Sequence, residues 1–365
     1  MEAYGHMTER NEIFARWNAK IPPQDAEAMR RAKAHWDGIA KPLCGLGKLE
    51  TAIVRIAGCT GDEHVSIEPR AVAVLCADNG IVKEGVTQTD ASVTAVMAGR
   101  IKEHRSSVCL MAKTARADVF AVDLGMLTRV EGVLDLHVAN GTQNMAEGPA
   151  MTEAEALEAI ENGVRLADLL AEKGYHILVT GEMGIGNTST SSAIAAVLLD
   201  LPVETVTGRG AGLSDEGLLR KRAAIRKAIE INRPDPSDAF DVLRKVGGFD
   251  LAGLAGLYIG AALHRIPVIV DGLPSSVAAL VASRLVPNCV PAMLASHCSA
   301  EPVAKAILSE LGIDAILFAD MKLGEGTGAV CLLPLLDAAL AVYCDSVSFA
   351  ETGIAPYVPQ KGDKR

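Results

Sequence analysis

Short apolar runs alternate along this chain with longer stretches whose apolar residues recur every three or four positions. Runs at 71–77, 117–124, 176–180, 267–271 and 315–319 have strand length, and most are rich in valine and isoleucine. Four of the five end in or near Asp or Gly. Helical spacing marks 92–103, 153–173, 215–232, 250–264, 275–285 and 301–311. Strands that are apolar on both faces and separated by helices predict a parallel α/β sheet, Rossmann-like, with helices on both sides. The first 60 residues and the tail after Leu332 contain helix but no good strand. The expected organisation is therefore a small helical domain from residues 1–65 and 333–365 and a large catalytic α/β domain over 66–332. Residues 1–7 are assigned no structure and read in part as a cloning remnant. Pro234-Asp-Pro236 reads as a turn between helices.

Two glycine-rich segments stand out against this pattern: GEMGIGNTS at 181–189 and LGEGTG at 323–328. Each is expected to follow a buried strand, and each holds one carboxylate among its glycines, Glu182 and Glu325. In an open parallel sheet, ligands sit beyond the carboxyl ends of the strands, so two acids distant in sequence should meet at one cleft. A purely structural role, as caps or loop-amide acceptors, is the competing reading. Glycines 324, 326 and 328 weigh against it, because they carry an entropic cost that a packing loop has little reason to bear. Asp78-Asn-Gly80 and Asp271-Gly272 also follow strands, and there a plain turn is as good a reading as a site.

Helix starts sharpen the picture. Asn187 or Thr188 is expected to cap a helix, leaving amides of the turn containing Gly184 and Gly186 for an anion. Ser214 caps the next helix and is preceded by Gly208, Gly210 and Gly212, with Lys221 and Arg222 about two turns further on. A glycine turn opening a helix ahead of basic residues, in an otherwise acidic protein, suggests a phosphate site.

Composition narrows the function classes. The 365 residues carry a formal net charge of −10, which argues against nonspecific nucleic-acid binding. Mean hydropathy is +0.24, but the longest apolar stretches, near 251–263 and 267–290, are broken by charges, Gly or Pro, so no membrane span is expected. The N-terminus lacks a basic-then-apolar signal pattern, and the chain reads as cytoplasmic. Eight cysteines contain no CxxC pair and read as buried thiols, and eight histidines show no paired zinc spacing, so neither metal nor cofactor is expected. Gly45-Leu-Gly-Lys48 is followed by Leu49 where a Walker loop needs Ser or Thr. The glycines at 208–212 miss dinucleotide spacing. There is no acidic pair placed to hold a diphosphate's magnesium and no serine-hydrolase elbow.

Taken together, KPLCGLGKLE (41–50), ADNG (77–80) with EGV (84–86), GTQNM (141–145), GEMGIGNTS, GRGAG (208–212), GGF (247–249), DG (271–272), SHCSAE (296–301) and LGEGTG resemble one family in this order. It is the nicotinate-nucleotide:dimethylbenzimidazole phosphoribosyltransferase family, and the resemblance covers nearly the whole chain. The resemblance implies a Rossmann-like domain plus a small helical domain, usually in a homodimer. It implies transfer of phosphoribose from nicotinate mononucleotide to an aromatic base, giving an α-ribotide for cobamide assembly. By the same likeness Glu325 is the catalytic base and Glu182 assists from the nucleotide side. The phosphate would meet the glycines of 208–212, Lys221 and Ser299. The chemistry agrees: nicotinate attached to ribose is a cationic pyridinium and leaves without protonation, so only the acceptor needs a base, and a monophosphate donor requires no magnesium.

The chain also departs from the family pattern. Asn79 stands where relatives often have His, Asp271-Gly-Leu-Pro274 replaces a Phe-led stretch, and Lys322 stands where Arg is common. Residues 87–96, expected along the base pocket, are small or apolar. These differences leave the acceptor open between a benzimidazole, a purine and a phenol. The alternatives are a subunit of a phenol- or p-cresol-accepting heterodimer, a non-catalytic paralogue, and a glycosidase using two carboxylates with water.

Overall fold

The computed structural model describes residues 9–358, and the segment 1–7 lies outside them. Six strands form one sheet: β1 (Arg70–Ala77), β2 (Ala117–Gly125), β3 (Leu134–Asp135), β4 (Ile177–Met183), β5 (Val268–Val270) and β6 (Met293–Ala295). They lie in the order β3-β2-β1-β4-β5-β6, and every pairing is parallel. The order reverses between β1 and β4, which makes their carboxyl ends the place where a doubly wound sheet opens a crevice.

Period-two alternation along β1 divides the core into two layers. Ala71, Ala73, Leu75 and Ala77 face one side, packed with the helices Glu153–Glu172, Asn187–Leu198, Phe249–Leu263 and Leu273–Leu285. Val72, Val74 and Cys76 face the other, with the helices Ala26–Gly38, Lys48–Thr60, Ser107–Thr114 and Thr327–Asp345. The rings of Trp36 and Tyr343 meet at 4.9 Å, tilted by 59°, joining the chain's early helices to its last long one. The first helix, Glu9–Lys20, sits elsewhere: Phe14 meets Phe240 at 5.9 Å on the first layer.

Local chemistry explains most of the element boundaries. Thr152 and Glu155 form a capping box at the start of Glu153–Glu172. Asp215–Asn232 begins at Ser214, whose hydroxyl accepts from the Gly217 amide, as its sequence predicts. The helix Phe249–Leu263 is buried on every side except at its last residue. Its Gly256 lies so close to the Ile160 carbonyl of the neighbouring helix that no side chain fits between them. Thr327–Asp345 is long and apolar enough to cross a membrane by length and composition, a feature the broken-run reading overlooked. Its Leu332, Leu333 and Leu336 are wholly buried in the second layer, which is the pattern of a core helix.

Two of the predicted elements differ. The run at 315–319 is not a strand. It touches the sheet only where Leu317 bridges His297, beyond the end of β6, and Phe318 is 73% exposed. The sixth strand is instead Met293–Ala295, three residues that follow a 3₁₀ turn containing Pro291 and are too short to stand out as a run. The helix after β4 begins at Asn187 itself, one position ahead of what a cap at Asn187 would give. Gly186 takes the left-handed conformation (φ +97°) as its cap residue, and neither Asn187 nor Thr188 caps it.

Candidate active site

A cavity of about 500 Å³ opens over the carboxyl ends of the strands. Glu182 is the penultimate residue of β4 and is 8% exposed. Glu325 reaches the same cavity from a loop on no strand. The loop is drawn against β4 by backbone contact: Gly181 lies under the Glu325 carbonyl with no room for a side chain. A β-carbon on Gly324 would sit 2.8 Å from Glu182 Oε1. Asp271, just past β5, locks this arrangement by accepting from the amides of Gly326 (3.2 Å) and Ala329 (2.8 Å). Those amides belong to the start of Thr327–Asp345, where a carboxylate is favoured. Glu325 itself takes a left-handed backbone (φ +61°), and its Oε2 accepts from the Val108 amide at 3.4 Å.

The acids share an environment that favours their neutral forms. Burial, then the Asp250 and Asp271 charges and that of Glu325, push Glu182 well above the usual carboxylate range. Burial likewise raises Glu325, opposed by the Val108 amide. Asp250, wholly buried in the first turn of Phe249–Leu263, is pushed up to about 6 by burial. Asn187 joins two of these acids, with its Nδ2 donating both to Glu182 Oε2 and to Asp250 Oδ2, the latter at 3.1 Å.

The cavity also holds a buried cation. Lys221 is 1% exposed, and its Nζ donates to Thr188 Oγ1 at 2.7 Å. It makes no ion pair among the described residues, and burial lowers it to about 8. Gly210 (φ +54°) lies against both Thr188 and Lys221, where a side chain would crowd them. Ser299 and Glu301 complete that wall, with the Glu301 amide donating to Ser299 Oγ at 3.3 Å. Across the opening, Gln88 Nε2 donates to the carbonyls of Gly212 and Ala211, so the loop around Val86–Thr89 is tied to the glycine turn. Val86, Met97, Met183 and Leu323 supply apolar lining.

Of the residues singled out from sequence, Glu182, Gly184, Gly186, Asn187, Gly210, Lys221, Ser299, Lys322 and Glu325 line this cavity. Gly208, Gly212, Asp78 and Asp271 stand behind the lining. Gly208 packs under the Glu301 carboxylate, Asp78 accepts from the Leu127 amide at 2.8 Å, and Asp271 is spent on the glycine loop. Arg222 turns away to the carbonyls of Glu204 and Thr207. Sequence reasoning missed Asp250, His297 and Glu301 as individuals, although all three fall in or beside the strings GGF and SHCSAE. His297 lines the cavity, with Nδ1 3.0 Å from Ser296 Oγ.

Comparison with known proteins agrees with this geometry. A family model described as phosphoribosyltransferase matches residues 21–354, which places the chain among the phosphoribosyltransferases. A protein of Acetivibrio thermocellus named nicotinate-nucleotide–dimethylbenzimidazole phosphoribosyltransferase is 44% identical over 336 residues, covering 92% of this chain and 96% of that one. One of the same name from Ruminiclostridium cellulolyticum is 42% identical, covering 93% and 97%. The crystal structure of CobT from Thermus thermophilus superposes with a TM-score of 0.85 at 36% identity, covering 90% of this chain and 99% of that one. The chain belongs to the nicotinate-nucleotide–dimethylbenzimidazole phosphoribosyltransferase family.

Proposed function

We infer that this chain transfers phosphoribose from nicotinate mononucleotide to 5,6-dimethylbenzimidazole, releasing nicotinate and forming the α-ribotide from which the lower ligand of a cobamide is built. The observation that carries this reading is one cavity with a buried lysine, hydrogen-bonded to Thr188, and two buried carboxylates at the switch point of the sheet. In this reading the donor's phosphate meets Lys221, with Thr188, Gly210 and Ser299 around it. Glu325, kept basic enough by burial, takes the proton from one ring nitrogen of the acceptor as the other ring nitrogen attacks the anomeric carbon. The departing pyridinium becomes neutral nicotinate nitrogen as the glycosidic bond breaks, so no acid has to protonate it. Attack from the opposite face turns a β-linked donor into an α-linked product. Glu182 acts at the ribose.

Glu325→Gln keeps the shape of the side chain and removes the base. Turnover should fall roughly 10²–10⁴-fold, the scale of general base catalysis, while binding of nicotinate mononucleotide by calorimetry stays near wild type. Normal turnover in this variant would falsify the assignment. The acceptor is settled by a panel of 5,6-dimethylbenzimidazole, adenine, phenol and p-cresol, with products read by mass spectrometry. Phenolic product alone would turn the reading toward O-linked transfer. A dimer of identical chains in the cytoplasm belongs to the same proposal, and light scattering of the purified protein tests its assembly.

A further inference from the structure

Behind the cavity lies a group of acids larger than a single base and an assisting carboxylate require. Asp250 does not line the cavity, yet it is wholly buried and fitted among four neighbours. Its Oδ1 accepts from the Leu251 amide at 3.0 Å, its Oδ2 accepts from Asn187 at 3.1 Å, and Gly184 and Gly248 leave room for it where a β-carbon would collide. The same Asn187 nitrogen donates its second hydrogen to Glu182. One neutral amide therefore bridges two buried carboxyls. The charges that bear most on Glu182 are those of Asp250 from the helix Phe249–Leu263, Asp271 from beyond β5 and Glu325 from the glycine loop, all acidic, although Asp271 itself has His297 Nδ1 at 3.9 Å. Lys221 is committed to Thr188 at the other wall, and His297 and Lys322 line the cavity without a hydrogen bond to either acid. Two buried carboxyls so linked, with no cation hydrogen-bonded to either, resist ionising together.

We propose that Asp250 is a positioning residue that, through Asn187, fixes Glu182 and keeps one proton within the pair, so that Glu182 meets a ribose oxygen of the nucleotide as a hydrogen-bond donor. The proton-sharing half stands on the geometry alone, and the ribose contact rests on the reading under Proposed function. Asn187 has already turned its two hydrogens toward the acids. The proton of the pair is therefore left on a carboxyl oxygen, and Glu182 is the member with a face on the cavity. Deprotonation of the pair would convert a donor into a repelling anion at a site already bordered by Glu325.

Infrared spectroscopy in heavy water separates the two halves. The wild-type protein without substrate should show a protonated-carboxyl band at neutral pH that disappears in Asp250→Asn and in Glu182→Gln alike. A wild type without such a band, or a band lost in only one of the variants, overturns the shared proton. If Asp250→Asn fails to fold, Asn187→Leu takes its place, because it breaks the bridge and leaves both acids. With nicotinate mononucleotide and dimethylbenzimidazole, Asp250→Asn should lose up to roughly 10²-fold in kcat, the scale of a misplaced group, with little change in KM. Its alkaline limb of kcat should move to lower pH, since Glu182 freed of its acidic neighbour ionises sooner. An unmoved limb overturns the positioning role even where the infrared result holds. Inactivity of the wild type toward this substrate pair would count against the function and leave the infrared result intact.

Discussion

The two glycine-rich loops have the same kind of sequence and are held by different means. The loop at 181–189 grows directly out of β4, so Glu182 inherits its place from a strand paired along its length with β1. The loop at 323–328 has no strand beneath it and would be free to drift. It is held from the side, by Asp271 on the amides of Gly326 and Ala329 and by close backbone contact with Gly181 and Thr180. A loop fixed by its own strand needs little else, whereas a loop fixed by tertiary contacts is only as rigid as those contacts. The proposed base lies on the second kind, and its left-handed backbone is an arrangement that the surroundings must impose.

Two experiments test this contrast and a third probes the wall opposite, and the largest effect is expected at the centre of the contrast. Gly181→Ala should push the 323–328 loop off β4, because its β-carbon would meet backbone rather than a flexible side chain. Turnover is expected to fall roughly 10²-fold, as for a misplaced catalytic group, with about 1–3 kcal/mol of stability lost to overpacking. Wild-type kinetics in that variant would show that the loop does not depend on the contact. Asp271→Asn should be milder. One of its two amide partners would face an NH2 group in place of an oxygen, at a cost of about 1–3 kcal/mol. Chemical denaturation should report that cost, and kcat should drop roughly tenfold as the loop loosens.

The smallest effect is a matter of pH at the opposite wall. Burial places Lys221 at about 8, so its positive charge is present below that value and lost above it. A phosphate held by Lys221 should bind progressively more weakly as pH rises through about 8. KM for nicotinate mononucleotide should then increase, at most by about tenfold per pH unit for a single proton. A KM flat through that range would remove Lys221 from the phosphate contact, while the contrast between the loops would stand.

Much of this was legible in advance, for identifiable reasons. Long amphipathic helices such as Asp215–Asn232 repeat their pattern over several turns, and a serine cap marks where the helix begins. β1 and β2 are apolar along most of their length because helices cover both sides. The misreading at 315–319 came from an apolar run that pairs with its neighbour only at Leu317, leaving Phe318 exposed. β6 went unseen because three residues carry no period. Asp250 was missed for a different cause: one acid opening an apolar helix has no local mark that distinguishes a helix-start charge from half of a buried pair.

What the amino-acid sequence determined by itself was the alternation of strand and helix, the two glycine loops with one acid each, and the glycine turn leading to Lys221. These are local matters of period, caps and backbone freedom, decided within a few residues. Only the tertiary structure decided that Asp271 serves the loop and not the cavity, that Asp78 lies behind the wall, and that Asn187 links Glu182 to Asp250. Those outcomes depend on which distant backbone amides and carboxyls the sheet order brings within about 3 Å of one another, and a hydrogen bond of that length leaves no trace in the spacing of residues along the chain.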